Sequence, residues 1–279
     1  MNRSALGPAL RALRETSGME AKAVARGAVM SRSKLSKIEN GNVAPSVADV
    51  DRILTAIGVS DEVKAEYMAA ARQAATEVTA WRLIRRLGYE RKQQQIQALE
   101  AQTRLVRLFQ PSLVPGLLQT PEYVRAVFSR KGLSPDQEDR TVGARLARQS
   151  VLYAEDKTFR FVITEPVLRW RIVPPLVMVG QLDRLISVSR LPNVDIRVVS
   201  LAAPQTDFPS HSFVIKDDRM VTLESVHAET VVTDPRDIHL CVTKFEAFWR
   251  AALSGDEMRA LVESVRDGFL REQETGWAG

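Results

Sequence analysis

Residues 31–41 read S-R-S-K-L-S-K-I-E-N-G, a basic run that stops at Glu39-Asn40-Gly41. Leu35 and Ile38, three residues apart, share one helical face, while Arg32, Ser33 and Lys37 fall on others. Asn40-Gly41 ends the helix, because both residues tolerate the left-handed backbone. Such a helix is either a solvated face or a surface shaped for a polyanion, and its neighbours decide between the two.

Upstream, Leu6, Leu10 and Leu13 recur at i, i+4 and i+7, which predicts an amphipathic helix over 4–17 closed by Gly18. Residues 20–27 form a second short helix with Val24 and Ala25 inward, and Ala28-Val29-Met30 joins it to the basic run. Downstream, Pro45-Ser46 starts a fourth helix. Ser46 with Asp49 three residues on has the spacing of a capping box, and Val50, Ile53, Leu54 and Ile57 form the buried face. A fifth helix opens at Ser60 and runs to about residue 75. Five short helices with a three-residue turn between the second and third describe a helix-turn-helix domain.

At 279 residues the chain is long enough for two domains. Its net charge of +5 is unevenly spread. Residues 1–107 hold 18 Lys and Arg against 11 Asp and Glu, whereas residues 108–279 hold 21 against 23. The asymmetry suggests a basic N-terminal module that meets a polyanion and a near-neutral remainder that does something else, although net charge alone equally serves solubility. A single cysteine, Cys241, excludes an internal disulfide framework. No long apolar run and no signal-like N-terminus is seen, so the expectation is a cytoplasmic protein, nucleoid-associated when bound to DNA, with no membrane partner.

Residues 77–101 look helical and basic, with Arg82, Arg85 and Arg86 at i, i+3 and i+4 and a break at Gly88. Beyond them the texture changes to short β-branched or alternating runs at 104–109, 159–164, 194–199, 212–216, 220–225 and 229–233. Helical patterns alternate with these near 121–130, 135–152, 174–190, 235–253 and 254–272. The expected architecture is multi-domain: an all-α five-helix domain over 1–75, a basic helical linker over 76–107, and a mixed α/β domain over 108–279.

The stretches L-R-A-L-R-E (10–15), Gly18, V-A (24–25), residues 31–41 and P-S (45–46) make residues 6–57 resemble the phage-repressor-like (XRE-type) helix-turn-helix regulators. The resemblance implies that the helix beginning at Ser31 lies in the major groove of double-stranded DNA. Arg32 and Ser33 would reach base edges, Lys37 would share their exposed face, and Lys34 would meet phosphate. With Ser31, these form the DNA-binding set. It further implies that Glu39 pairs with Arg14. Because one such module reads only a few base pairs, a homodimer on a palindrome is expected. The chain departs from the pattern twice. Val29 stands where the turn usually has glycine, so either the turn takes another backbone or Gly27 takes the flexible role. Glu20-Ala21 replaces the usual cap and glutamine at the start of the second helix.

In the second half, V-P-G-L-L-Q-T-P-E-Y-V (114–124) carries Thr120 as an N-cap with Pro121 at the first helical position. With G-A-R-L-A-R-Q (143–149), T-E-P-V-L-R-W (164–170), Q-L-D-R-L (181–185) and P-N-V-D-I-R-V-V (192–199), it resembles the C-terminal domain of actinobacterial WhiJ-like, antitoxin-like regulators. That resemblance implies a small partner protein encoded nearby. The alternative is a small-molecule sensor. Catalysis is not expected. His211, His227, His239 and Cys241 match no metal spacing, and Glu165, Glu224 and Glu229 no acid/base pairing. No phosphate-binding glycine motif occurs, so no cofactor and no metal is expected. Arg145, Arg148 and Gln149 are either a solvated face or a site for an anionic group. Trp81, Trp170, Trp249 and Trp277 read as core or interface anchors, and Cys241 as a small buried hydrophobe.

Overall fold

The computed structural model describes residues 3–74, 76–205 and 207–274; Trp277 lies outside them. The chain divides into two compact units. One runs up to Val78 and includes Thr230–His239, and the other comprises Thr79–Glu229 and the residues from Leu240 onward.

The first unit holds the five helices expected: α1 (Arg3–Thr16), α2 (Ala21–Gly27), α3 (Arg32–Glu39), α4 (Val47–Ile57) and α5 (Asp61–Ala74). Leu6, Leu10, Val24, Ala25, Leu35, Ile38, Val50, Ile53 and Leu54 are buried together, as their 3.6-residue periodicity requires. Two glycines set how closely the helices approach. A Cβ on Gly7 of α1 would fall 2.0 Å from the Ile38 carbonyl oxygen, and one on Gly27 would fall 2.9 Å from Ala56 Cβ. Gly27 is therefore a packing residue inside α2.

The turn after α2 belongs to Val29 itself, at φ 52°. Val29 N–H donates to Arg26 O at 3.1 Å and Met30 N–H to Ala25 O at 3.0 Å, which is the Schellman closure of a helix C-terminus. Helices α1, α3 and α4 end the same way with Gly18, Gly41 and Gly58 in the left-handed position, at φ 71°, 73° and 77°. Neither expected alternative for the turn holds, because the backbone is the left-handed one that suits glycine and the β-branched residue itself adopts it. In α3 only Gly41 is left-handed, while Asn40 keeps φ −87°.

Seven strands form a mixed sheet in the order β1-β7-β6-β5-β2-β3-β4. They are β1 (Thr76–Ala80), β2 (Leu105–Gln110), β3 (Thr158–Thr164), β4 (Val194–Val199), β5 (Phe213–Lys216), β6 (Met220–Glu224) and β7 (Ala228–Val232). Strands β2, β3 and β4 are parallel, with Val106 opposite Phe159 and Phe159 opposite Val194; β5 and β6 join antiparallel. Phe159, Phe161, Val162 and Ile163 are all buried, an apolar run broken only by the half-buried Arg160, as a parallel strand covered on both faces requires.

The remaining helices are α6 (Trp81–Leu87), α7 (Tyr89–Ala101), α8 (Pro121–Phe128), α9 (Pro135–Arg148), α10 (Glu165–Arg169), α11 (Pro175–Val188), α12 (Pro235–Ala251) and α13 (Gly255–Glu274). Leu182 and Leu185 of α11 and Val262 and Phe269 of α13 join the core with β3 and β4. Thr120 caps α8 as expected, and Ser134 with Gln137 forms a capping box on α9.

The stretch read as a helical linker, 76–107, differs from that reading. Residues 76–80 are a strand, consistent with their alternating T-E-V-T-A pattern. Ile84 of α6 and Tyr89 of α7 are buried with Val124, Phe128 and Val142. Gln93 and Glu100 of α7 are buried as well. The charged residues around them concealed a packed face.

Candidate nucleic-acid interface

Helix α3 is pinned from three directions. Leu35 and Ile38 are fully buried beneath it. At its end, Arg14 Nε donates to Glu39 Oε1 at 2.6 Å and Arg14 NH2 to Oε2 at 3.0 Å, with both side chains largely buried. The hydrogen bond to Glu39 holds the Arg14 guanidinium above its ordinary range. At its start, Ser31 Oγ accepts from Lys34 N–H at 3.1 Å. That cap leaves the amides of Arg32 and Ser33 without a backbone or side-chain acceptor among the described residues.

Ser31, Arg32, Ser33, Lys34 and Lys37 are all exposed. They do not form one uniform set. Lys34, expected at phosphate, places its ammonium 2.7 Å from Asp49 Oδ1. Asp49 is buried, and it also accepts from Ser46 N–H at 3.2 Å to complete the capping box of α4. Burial pushes the Asp49 carboxyl up, but the bonds from Lys34 and Ser46 outweigh it and hold the group below its ordinary value. The reading of Ser46-Asp49 as a cap was therefore incomplete, since the same carboxylate also anchors α3. By contrast, the side chains of Arg32 and Lys37 make no hydrogen bond or ion pair among the described residues. At the start of α2, Glu20 makes no side-chain cap bond.

Several expectations elsewhere meet a different environment. Arg148 and Gln149 are buried and Arg145 is half-buried, so the solvated-face reading fails. Arg148 NH1 donates to Gln93 Oε1 at 2.8 Å and its Nε lies 3.0 Å from Glu100. Arg145 bonds Gln93 and Gln119, and its guanidinium stands 4.5 Å over the Phe128 ring. Burial, and then Arg148, push the Arg145 guanidinium down to about 10. Gln149 donates to the carbonyls of Gly116 and Gln119. This is an internal polar joint, and nothing in the spacing of α9 alone identified its partners in α7.

Glu165 joins Ser200, the Leu201 amide and Arg169, with which it forms an i,i+4 pair. His227 Nδ1 lies 3.2 Å from Ser225 Oγ, and His239 is exposed. Cys241 is half-buried rather than buried. No group of three or more metal-ligating residues occurs among the described residues. Trp81 donates to the Ser225 carbonyl, Trp249 is buried beneath Arg197, and Trp170 is about half exposed. No helix among the described residues is long and apolar enough to cross a membrane.

Residues 5–67 match a family described as a helix-turn-helix domain. The protein is a helix-turn-helix DNA-binding regulator. Residues 93–264 match a family described as a domain of unknown function, DUF5753. The chain belongs to the DUF5753 family. The DUF5753 match opens at Gln93, the acceptor shared by Arg145 and Arg148, and closes within α13. No curated protein matches the chain.

Among solved structures, the chain resembles NucT from Helicobacter pylori at 9% identity and a TM-score of 0.38, over 64% of this chain and 98% of that one. It also resembles Nuc, a phospholipase D family member from Salmonella typhimurium, at 12% identity and 0.35, over 64% and 97%. The archaeal chromatin protein TrmBL2 aligns at 12% and 0.33, over 65% of this chain. That alignment spans about half, 53%, of the TrmBL2 chain. At such TM-scores these likenesses say nothing of what this chain does.

Proposed function

We propose that the protein is a sequence-specific transcriptional regulator of the phage-repressor-like (XRE) type, with α3 entering the major groove. The observation that carries this reading is the division of α3. Its apolar residues are buried, Glu39 is neutralised by Arg14, and Arg32, Ser33 and Lys37 face outward with the two cations unpaired among the described residues. A guanidinium suits bidentate bonding to guanine O6/N7, worth about 1–3 kcal/mol of discrimination. Lys37 adds phosphate affinity. Ser31 orients the first amides towards the backbone, and Lys34 acts mainly through Asp49. One such helix covers few base pairs, so the active form is a homodimer on a palindromic operator with half-sites about 34–36 Å apart.

The second domain, on this reading, works by binding and not by catalysis. It holds a small protein encoded by a neighbouring gene, as in the WhiJ-like, antitoxin-like group. The exposed apolar side chains Leu201, Phe208 and Leu240 support that role.

Binding to the protein's own promoter region, against random duplex at fixed salt, tests the DNA reading. Arg32→Ala is expected to remove the preference for the promoter while weakly affecting random DNA. Equal losses on both overturn base readout by α3. Co-purification with the neighbouring small protein supports the partner role, and thermal stabilisation by a metabolite alone replaces it with a small-ligand sensor.

A further inference from the structure

A second cationic surface lies in the α/β unit, on arginines that the proposed function does not use. A groove of about 230 Å³ is lined by Arg85 and Arg86 at the end of α6, Arg91 in α7 and Arg140 in α9. One carboxylate lines it as well, Glu90, which lies 3.4 Å from Arg140 Nε. Arg85, Arg86 and Arg91 have no ion pair among the described residues. Gly88, at φ 98°, turns the chain between α6 and α7 and so brings these three guanidiniums to one rim. The first turn of α7 opens into the same groove without a side-chain cap.

Guanidiniums stay charged throughout the accessible pH range. Four of them against one carboxylate leave the groove strongly cationic, and an anion there would relieve their mutual repulsion. All four arginines are exposed. A small-molecule site typically encloses its ligand within about 300–1,000 Å³ and buries the polar groups that orient it. This groove is smaller and its charges stand in solvent, which is the form of a contact to a phosphate backbone. Arg82, exposed one turn before Arg85 and Arg86, continues the row along α6 beyond the groove, as a linear polyanion requires.

The geometry points to this groove as a binding site for the phosphodiester backbone of duplex DNA, independent of base sequence. The inference rests on the reading of the protein as a DNA-binding regulator and adds a second region of contact to it. It assigns to α6, α7 and α9 part of the affinity and none of the specificity.

The test measures full-chain binding to promoter and random duplexes across a salt series. Each lost phosphate contact lowers the slope of log K against log salt by about 0.9. The variant Arg85→Ala/Arg86→Ala/Arg91→Ala is expected to lower it by about two to three on both duplexes, with the promoter-to-random ratio unchanged. Arg91→Glu alone is expected to weaken both equally, and the triple lysine variant to keep most of the slope. A triple alanine variant that melts like the wild type and keeps its slope overturns the assignment. Micromolar binding of inorganic phosphate or polyglutamate that the triple variant loses, with DNA binding intact, replaces it with a small phosphorylated ligand or an acidic protein. The two readings fail separately. A wild type with no salt-dependent DNA binding overturns the regulator reading, whereas a steep wild-type slope retained by the variant overturns the groove alone.

Discussion

Arg14 in α1 grips both carboxylate oxygens of Glu39 at the end of α3, at 2.6 and 3.0 Å, with the two side chains only 12% and 7% exposed. A pair this enclosed matters less for what it adds than for what its breakage leaves behind. Among the described residues, Glu39→Ala leaves the largely enclosed Arg14 guanidinium with only the Met19 carbonyl and the more distant Glu15. The expected loss is about 1–3 kcal/mol, below the roughly 3–5 kcal/mol usual for one partner removed from a fully buried pair. Urea denaturation of the full chain is expected to show the helix-turn-helix transition move by that amount. Arg14→Ala/Glu39→Ala is expected to lose less than the sum of the single variants. Additive losses would show that the two side chains act independently.

Val29 is 80% exposed and held at φ 52°. An L-residue in this region is strained by roughly 1–2 kcal/mol, more for a β-branched one, and no buried contact of the Val29 side chain compensates. Val29→Gly removes the strain but adds backbone freedom to the unfolded chain, a cost of about 0.4–1 kcal/mol. The expected net is stabilisation by up to about 1 kcal/mol, read as a higher melting temperature with promoter affinity unchanged. A lower melting temperature would mean that the side chain itself supports the turn.

Gly7 lies inside α1, where alanine is intrinsically better by about 1 kcal/mol. The Ile38 carbonyl nevertheless leaves no room, since the added carbon would sit 2.0 Å from its oxygen. Gly7→Ala is expected to destabilise by about 1–3 kcal/mol as α1 and α3 are forced apart. Because α3 shifts with it, promoter binding falls too. An unchanged chemical-denaturation midpoint would contradict the close approach of the two helices.

Asp49 supplies a pH dependence of definite sign. Its carboxyl is held below the ordinary value in the folded chain, net of a burial effect that acts the other way. The ionised form thus favours folding. The contribution is complete above the unfolded value near about 3.9 and disappears as pH falls from there through the lower folded value. Asp49→Asn is expected to reduce stability at neutral pH and to flatten the acid limb of the profile below about pH 4. An acid limb as steep as in the wild type would remove Asp49 from the titrating set.

The Lys34–Asp49 bridge also ranks the cations of α3. An ammonium already balanced 2.7 Å from a carboxylate releases less from DNA counterions than a free one. Lys37→Ala is expected to lower the salt slope of DNA binding by about one, and Lys34→Ala by clearly less while costing stability. The reverse order would show that Lys34 leaves Asp49 when DNA is bound.

What the sequence determined by itself was the local grammar. Val24, Ala25, Leu35 and Ile38 were placed inward by periodicity, Ser46 and Thr120 were legible as caps, and six of the seven strands began within one residue of their β-branched runs. These features depend on residues a few positions apart, so a single pass along the chain reads them. The sixth expected strand, at 229–233, appears one residue earlier as β7, and β1 was missed inside a stretch whose charges suggested a helix. Tertiary structure alone decided the pairings across distance. Asp49 could be seen to cap α4 but not to hold Lys34, 15 residues before it, and Arg148 gave no sign of Gln93, 55 residues away. It also decided Val29, because a tight α2–α3 junction imposes the left-handed turn whichever side chain stands there. The basic run at 31–41 therefore announced its helix and its end from local rules, and only the folded chain showed which of its cations remain free.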